Sequence, residues 1–186
     1  MKRIFDVFSS VILSLLLSPI MVLVALAVKL TSPGPALYWS DRVGKDNVLF
    51  AMPKFRTMKT GTPAMATHLL GEPLTRLTPI GAFLRKSSLD ELPQLWPILR
   101  GQMSFVGPRP ALFNQSDLIE LRTKFGVDTL IPGLTGWAQI NGRDELSIAD
   151  KVKCDAEYLA RRSIWFDVAI LVRTALRVLR REGVSH

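Results

Sequence analysis

The chain has 186 residues, 48% of them hydrophobic, and carries a formal net charge of +8 with a single cysteine. This length leaves room for one domain with an appendage, and one cysteine excludes an intrachain disulfide. The two histidines, His68 and His186, are too few for a histidine metal site. Apolar and basic character together favour an anionic membrane surface or an anionic substrate. The basic residues are scattered, without zinc-finger spacing or an RNP-type aromatic strand, so nucleic acid is not predicted as a partner.

The first predicted element is an apolar helix near the amino terminus. Residues 7–28 carry no charge, and as an ideal helix they would be about 33 Å long, enough for a bilayer core of roughly 30 Å. Three interpretations compete for this segment: a cleaved signal peptide, a straight transmembrane helix, and a re-entrant helix bent at Ser18-Pro19. The apolar run is longer than the hydrophobic region of a signal peptide.

Two features of this segment favour the re-entrant helix. Pro19 removes a backbone donor and clashes with the preceding turn, while the Ser18 hydroxyl can bond a carbonyl that is freed in this way. Basic residues flank the apolar run on both sides, with Lys2 and Arg3 before it and Lys29 after it. A spanning helix would send one basic flank across the membrane, against the positive-inside tendency. We therefore predict a helix over residues 1–30 that enters and leaves on the cytoplasmic side.

The next segment is predicted to be extended. A turn-forming cluster at residues 31–35 ends the apolar helix, and residues 48–52 predict a short strand. Basic and apolar residues then alternate over residues 54–59, which would put Lys54 and Arg56 on one face of an extended chain. Such a face is either solvated or an anion site, and the pattern leaves both interpretations open.

Two adjacent carboxylates mark the densest motif, residues 87–95, at what is predicted to be a helix start. Ser88 and Glu91 fit a capping box, and Asp90 would be stabilised by the helix dipole. Basic residues surround the pair in sequence, among them Arg85 and Arg109. Paired carboxylates in a positive setting suit chemistry on phosphate. The two interpretations are compatible, because the dipole that favours a capping carboxylate also keeps a nucleophilic one ionised.

The last third of the chain contains a glycine-rich motif followed by two helical patterns. Three glycines within residues 131–143 indicate tight turns or close backbone approach to a ligand. Gln139, Asn141 and Arg143 alternate and could share a face that reads a base, ribose or phosphate, although an ordinary turn-rich strand has the same pattern. Residues 147–161 predict a polar helix. Residues 164–181 predict a basic amphipathic helix that lies in a membrane interface or packs on a core.

Four motifs, taken together and in order, resemble those of the bacterial sugar transferase family, the monotopic polyprenyl-phosphate phosphoglycosyl transferases. They are KFRTM at 54–58, LDELPQL at 89–95, GPRP at 107–110 and PGxTGxAQxNGR at 132–143. The resemblance covers nearly the whole chain and matches the small minimal-domain form of the family. Pro53, Pro97, Gln102 and Ile131 depart from the family pattern.

The resemblance implies a fold and a reaction. The fold would be mainly α with a little β (α+β), with a re-entrant membrane helix over residues 1–30 and a compact catalytic domain with amphipathic interfacial helices over residues 31–186. The reaction would pass a sugar 1-phosphate from a nucleotide diphosphate sugar, usually a UDP-sugar, to undecaprenyl phosphate, with UMP leaving. Asp90 would be the nucleophile that forms a phosphosugar-aspartyl intermediate. Glu91 would position Mg²⁺ or assist proton transfer, with Asp90 and Glu91 as the metal ligands. The implied substrate-binding residues are Lys54, Arg56, Arg85, Arg109, Gln139, Asn141 and Arg143.

The resemblance also implies a setting, the bacterial inner membrane with the catalytic domain on its cytoplasmic face. The expected partners are a nucleotide sugar, undecaprenyl phosphate, anionic membrane lipid, downstream glycosyltransferases of surface glycan assembly and a second copy of the chain. A non-enzymatic, basic membrane-associated scaffold is the alternative function. Such a scaffold would tolerate replacement of Asp90 and Glu91 but not of the arginines in the last helix.

Overall fold

The structure is a computed structural model that describes residues 1–63, 74–142 and 145–180. Within these ranges the α-helices are α1 (Lys2–Thr31), α2 (Gly81–Lys86), α3 (Leu95–Arg100), α4 (Ser116–Lys124), α5 (Trp137–Ile140), α6 (Ile148–Arg161) and α7 (Ile164–Arg180). The strands are β1 (Leu37–Val43), β2 (Leu49–Phe55), β3 (Ser104–Val106) and β4 (Gly133–Thr135). Short 3₁₀ helices cover Lys45–Asn47, Leu74–Arg76, Leu89–Gln94 and Val127–Thr129. This mixture confirms the predicted α+β class.

Helix α1 continues through Pro19 without a break in its helical assignment. Proline at position 19 lacks the N–H that would otherwise bond to the carbonyl of Leu15, four residues back. The Ser18 hydroxyl donates to that Leu15 carbonyl at 2.8 Å. The prediction that Ser18 binds a carbonyl freed by proline is thus confirmed, while the bend itself remains a prediction.

Most of α1 is apolar and faces outward. Of the described helices, it is the one long and apolar enough to cross a membrane. Leu15 and Leu16, at its middle, are 71% and 69% exposed. Its two ends, in contrast, pack on the rest of the chain: Asp6 and Ser10 are buried near the start, and Val24 and Val28 are buried near the end. The second pair joins an apolar cluster with residues of β2 and α2.

Strands β1 and β2 form an antiparallel hairpin in which Tyr38 lies opposite Lys54 and Arg42 lies opposite Phe50. Because side chains alternate between the two faces of a strand, Arg42 and Lys54 lie on the same face of the hairpin. Pro53 is accommodated in β2 because the two-stranded sheet leaves one edge of that strand unpaired.

Strands β3 and β4 pair in parallel, and glycines let the backbone of residues 107–108 pass close to the backbone of residues 133–136. Ser104 pairs with Gly133, and Val106 pairs with Thr135. Beyond β3, the Gly107 N–H donates to the Thr135 carbonyl at 2.9 Å, and the Gly133 N–H donates to the Pro108 carbonyl at 2.9 Å. The sequence predicted a tight turn or a close approach to a ligand for the glycine-rich motif, and in the structure Gly133 and Gly136 approach the backbone of residues 107–108 instead. Two motifs that are separated in sequence form one structural unit.

The main apolar core lies between the hairpin, α3, β3 and the last helices. It contains Phe50, Met52, Leu95, Ile98, Met103, Phe105, Val106, Val127, Leu130, Ile140, Tyr158 and Ile170. Helix α7 presents Ile170 to this core, while its opposite side carries an outward stripe of Trp165, Val168, Val172 and Leu176. Trp165 is 81% exposed. The predicted amphipathic helix thus packs on the core and also keeps an exposed apolar stripe.

A buried ion pair joins α4 to α6. The Arg122 guanidinium donates to Asp155 Oδ2 from Nε at 3.0 Å and from a terminal nitrogen at 2.7 Å. Asp155 is 1% exposed, and burial raises the pKa of its carboxyl although Arg122 opposes this shift. The remaining Arg122 nitrogen donates to the Arg109 carbonyl at 2.8 Å. The ion pair therefore also holds the backbone of the loop after β3.

We expect alanine at Gly133 or Gly136 to lower the free energy of unfolding by about 3 kcal/mol, the upper end for overpacking a core. A Cβ at Gly133 would lie 2.1 Å from the Gly107 nitrogen, and one at Gly136 would lie 2.1 Å from the Gly107 oxygen. Thermal unfolding in detergent would measure the loss. Gly61→Asn is the control, since that site is open and asparagine accepts its positive φ of 85°. Equal stability of all three variants would contradict the close crossing.

Replacing Arg122 alone by methionine is expected to cost about 3–5 kcal/mol, because Asp155 is then left as a buried and unpaired charge. The double variant Arg122→Met/Asp155→Leu removes both charges and should recover most of that loss. Thermal midpoints of the two variants and the parent would test this. A double variant no more stable than Arg122→Met would contradict the prediction, because the unpaired Asp155 charge would then not be the source of the loss.

Candidate active site

The two adjacent carboxylates lie in the 3₁₀ helix Leu89–Gln94, directly after Ser88. Ser88 has a left-handed backbone with a φ of 56°, and its side chain makes no capping hydrogen bond. The predicted capping box is therefore wrong, because an N-cap serine needs an extended backbone to aim its hydroxyl at the helix. The Glu91 side chain is directed to two cations instead.

Glu91 is held between two basic side chains that come from distant parts of the chain. Its Oε1 accepts from Lys54 Nζ at 2.8 Å and from an Arg109 terminal nitrogen at 2.7 Å. Lys54 comes from β2, and Arg109 comes from the loop after β3. Burial disfavours the ionised carboxylate, but Arg109 and Lys54 outweigh it and hold the pKa of Glu91 well below its usual range. Glu91 is therefore an ionised, structurally fixed carboxylate.

Asp90 has a different environment although it is the neighbouring residue. It is buried, and within the described ranges its carboxylate accepts no hydrogen bond and forms no ion pair. Burial raises the pKa of Asp90, and the Glu91 charge adds to this, while Lys54, Arg109 and Arg85 act in the opposite direction. Successive residues of a 3₁₀ helix point about 120° apart, which gives the two carboxylates separate surroundings. Asp90 is the carboxylate that remains available to a ligand.

Two further arginines complete the positive surroundings. Arg85, at the end of α2, donates from Nε to the Thr57 hydroxyl at 3.0 Å and lies near enough to Asp90 to influence its titration. Arg42, on β1, donates to the Pro110 carbonyl at 3.1 Å. Burial and the neighbouring Arg109 lower the pKa of Arg42 to about 10.

Arg42 is not among the binding residues predicted from the sequence, although the sequence contains a pattern that places it near Lys54. The turn signal at residues 44–47, between two short apolar runs, is typical of a hairpin. The register of that hairpin puts Arg42 on the face that carries Lys54. A hairpin prediction with this register would have placed both cations together.

Among the described residues of the site, cations outnumber carboxylates. Arg42, Lys54, Arg85 and Arg109 lie around Asp90 and Glu91. Desolvated cations of this kind favour an anionic ligand, such as a diphosphate.

Other residues that the sequence suggested for binding lie in different surroundings. Arg56 is 4% exposed, and its guanidinium donates to the carbonyls of Ser32, Pro33 and Pro35 at 2.7–2.8 Å, which closes the turn after α1. Its guanidinium is thus engaged by this turn and not by the Asp90–Glu91 pair.

The predicted shared face of alternating residues in the glycine-rich motif is also wrong for its described members. Residues Trp137–Ile140 form helix α5, so Gln139 and Asn141 do not alternate along a strand. The Asn141 amide donates to the Trp137 carbonyl at 2.8 Å, and the buried amide atoms of Gln139 have no hydrogen-bond partner among the described residues. Arg143 lies outside the described residues.

The carboxylate pair fits Mg²⁺ as a partial ligand set. The described residues contain no group of three or more His, Cys, Asp or Glu side chains that could hold a metal ion. Mg²⁺, however, is commonly bound by one or two carboxylates together with substrate phosphates and water. Asp90 has no hydrogen-bond or ion-pair partner among the residues that the structure describes, and Glu91 uses Oε1 for both of its cations. The donor set is therefore suited to a metal that arrives with a phosphate ligand.

Comparisons with known proteins agree with this chemistry. The chain is 42% identical, over 95% of its length, to "Undecaprenyl-phosphate glucose phosphotransferase" of Komagataeibacter xylinus, and covers 35% of that protein. It is 39% identical, over 98% of its length, to "Undecaprenyl-phosphate galactose phosphotransferase" of Salmonella typhimurium, and covers 41% of that protein. The chain thus spans less than half the length of these relatives.

A third relative is close to this chain in size. The chain is 37% identical, over 98% of its length, to "Exopolysaccharide production protein ExoY" of Rhizobium meliloti, of which it covers 87%. The family model described as bacterial sugar transferase matches residues 1–181. Since this match includes α1, the carboxylate pair and the glycine-rich motif, the chain belongs to the bacterial sugar transferase family.

Proposed function

We propose that the chain is a phosphoglycosyl transferase that passes a sugar 1-phosphate from a UDP-sugar to undecaprenyl phosphate, in the assembly of a surface glycan. The observation that carries this proposal is the buried Asp90, which has no hydrogen-bond partner in the described part of the chain, beside a Glu91 fixed by Lys54 and Arg109. The names of the relatives, which describe glucose and galactose phosphotransferases acting with undecaprenyl phosphate, support the same reaction class.

In the proposed reaction the Asp90 carboxylate attacks the phosphorus that bears the sugar. A new P–O bond forms to Asp90 while the bond to the nucleotide breaks, and UMP leaves with the bonding electron pair. An oxygen of the lipid phosphate then attacks the same phosphorus and releases Asp90. Lys54, Arg109, Arg85 and Arg42 stabilise the negative charge that develops on the phosphates, an effect that is strong in a water-poor site.

Asp90 and Glu91 are the residues that would hold Mg²⁺. When bound, the ion would offset negative charge on the diphosphate. The part played by this chain is to keep Glu91 ionised through its two cations, so that the carboxylate is ready for a ligand at neutral pH.

The packing of α1 supports a membrane helix of residues 1–30 that returns to the side from which it enters. Asp6 and Val24 both pack on the same domain, although a straight helix would separate them by about 27 Å. If α1 were a straight helix that spanned the bilayer, its two ends would lie on opposite sides of the membrane. The same domain would then have to contact the helix on both sides, which a bilayer prevents. The outward stripe on α7 would lie in the interface, and we propose the cytoplasmic face of the bacterial inner membrane as its location.

Asp90→Asn is expected to lower the rate of UMP release by at least about 10³-fold, because loss of a nucleophile removes the covalent route. The assay follows UMP from a panel of UDP-sugars with undecaprenyl phosphate, and intact mass detects the phosphosugar adduct. Asp46→Asn is the matched control, since Asp46 is exposed and its φ of 54° suits asparagine. Normal turnover by Asp90→Asn would exclude the covalent mechanism through Asp90, whereas the absence of UMP release by the parent chain would favour the scaffold alternative.

Cysteine labelling tests the membrane arrangement. With Cys154 replaced by serine, single cysteines inserted directly after Met1 or substituted for Pro33 are expected to react from the cytoplasmic side of inverted vesicles, since Met1 and Pro33 are both exposed. Both positions should then be protected from an impermeant reagent in spheroplasts. Labelling of the two sites from opposite sides would show a spanning helix.

A further inference from the structure

The first two turns of α1 are attached to strand β3. Lys2 Nζ donates to the Val106 carbonyl at 3.0 Å. One turn later, Asp6 Oδ1 accepts from the Phe105 N–H at 3.2 Å, and Asp6 is buried. The membrane helix therefore binds two consecutive residues of β3 through side chains of opposite charge.

These contacts are held in place from a second side. Lys2 Nζ also forms an ion pair with Asp167 Oδ2 at 2.5 Å and lies 3.4 Å from the Tyr158 hydroxyl. The Tyr158 hydroxyl in turn donates to Asp167 Oδ1 at 2.7 Å. Asp167 and Tyr158 are buried, whereas the Lys2 side chain is 38% exposed. Loss of Lys2 would leave the buried Asp167 carboxylate without this cation, so the network restrains the position of Lys2.

Strand β3 leads directly to Arg109. Only Gly107 and Pro108 separate Val106 from Arg109, and the backbone of both is bonded to the β4 segment. Proline fixes its own φ, which leaves little freedom between the end of β3 and Arg109. A shift of β3 would therefore be passed on to the Arg109 guanidinium, which lies 2.7 Å from Glu91.

We propose that Lys2 and Asp6 are positioning residues, which set Arg109 against Glu91 by holding β3 to the membrane helix. Seating of α1 in the membrane and the geometry of the site are then coupled through one short strand. The inference rests on the proposed function for its activity measurements. Its physical basis is that a misplacement of about 1 Å at a catalytic site, caused by a distant change, can cost about 10²-fold in rate.

Matched variants of Asp6 and Lys2 separate the loss of the bond to β3 from the effect of changing the side chain's size and shape. Asp6→Leu removes the acceptor for the Phe105 N–H, whereas Asp6→Asn keeps a carbonyl oxygen there. Likewise, Lys2→Met removes the bond to β3, whereas Lys2→Arg keeps a cationic donor. We expect Asp6→Leu and Lys2→Met to lower kcat by about 10- to 100-fold, and the two conservative variants to keep most of it. Lys29→Met is the control at the other end of α1, where Lys29 donates to the Gly34 carbonyl.

A double-mutant cycle with Arg109→Lys tests whether the two residues act through Arg109. If they do, Asp6→Leu adds little to the loss that Arg109→Lys already causes, because residues that act as one unit are not additive. For the control, the fold-losses in kcat of Lys29→Met and Arg109→Lys should multiply in the double variant. Lys2→Met replaces Asp6→Leu in the cycle if the latter does not fold, as judged by its thermal midpoint in detergent.

The outcomes distinguish this inference from the proposed function. If the fold-losses in kcat of Asp6→Leu and Arg109→Lys multiply in the double variant, the positioning role is overturned. The proposed reaction is unaffected by that result. Equal activity of Asp6→Leu and the parent would also overturn it. A parent chain that releases no UMP from any UDP-sugar of the panel would overturn the proposed function instead.

Discussion

The Glu91 carboxylate, on a side chain that is only 16% exposed, bonds to both Lys54 and Arg109, and the rest of the site depends on this interaction. It joins three segments, namely the β-hairpin, the 3₁₀ helix and the loop after β3. A buried charge is stable only when its partners are present, so the loss of one segment would leave uncompensated charge in the others. The loop after β3 is in turn held by the backbone bonds between residues 107–108 and β4, and by the Arg122 bond to the Arg109 carbonyl. Packing far from Glu91 therefore affects the position of Arg109 beside Glu91.

The same arrangement gives two neighbouring carboxylates opposite properties. Two cations keep the pKa of Glu91 low, whereas burial and the Glu91 charge raise the pKa of Asp90. Pairs of titratable groups with divergent environments are typical of sites in which each member has its own chemical role. In the proposed reaction Glu91 is the fixed electrostatic element, and Asp90 is the group that reacts.

The helix α1 connects this chemistry to a membrane. Its apolar middle faces outward, while its start is bound to β3 and its end packs near β2 and α2. Strand β2 carries Lys54, α2 carries Arg85, and β3 leads into the loop that carries Arg109. The anchor is thus part of the scaffold of the site as well as a means of attachment. In the proposed reaction, a lipid phosphate at the membrane surface and a nucleotide sugar from the aqueous side meet where these elements converge.

Local patterns in the sequence determined α1, the role of Ser18 at Pro19, the two last helices and the adjacent carboxylates, because periodicity and proline chemistry act within a few residues. Only the tertiary structure decided which cations meet which acids. Ser88 does not cap the 3₁₀ helix, Arg56 is engaged by the turn after α1, and Arg42 reaches the loop after β3. These outcomes depend on how segments up to about a hundred residues apart pack together, as between Asp6 and Phe105. No local pattern encodes that packing, since burial and the available partners are set by the assembled core.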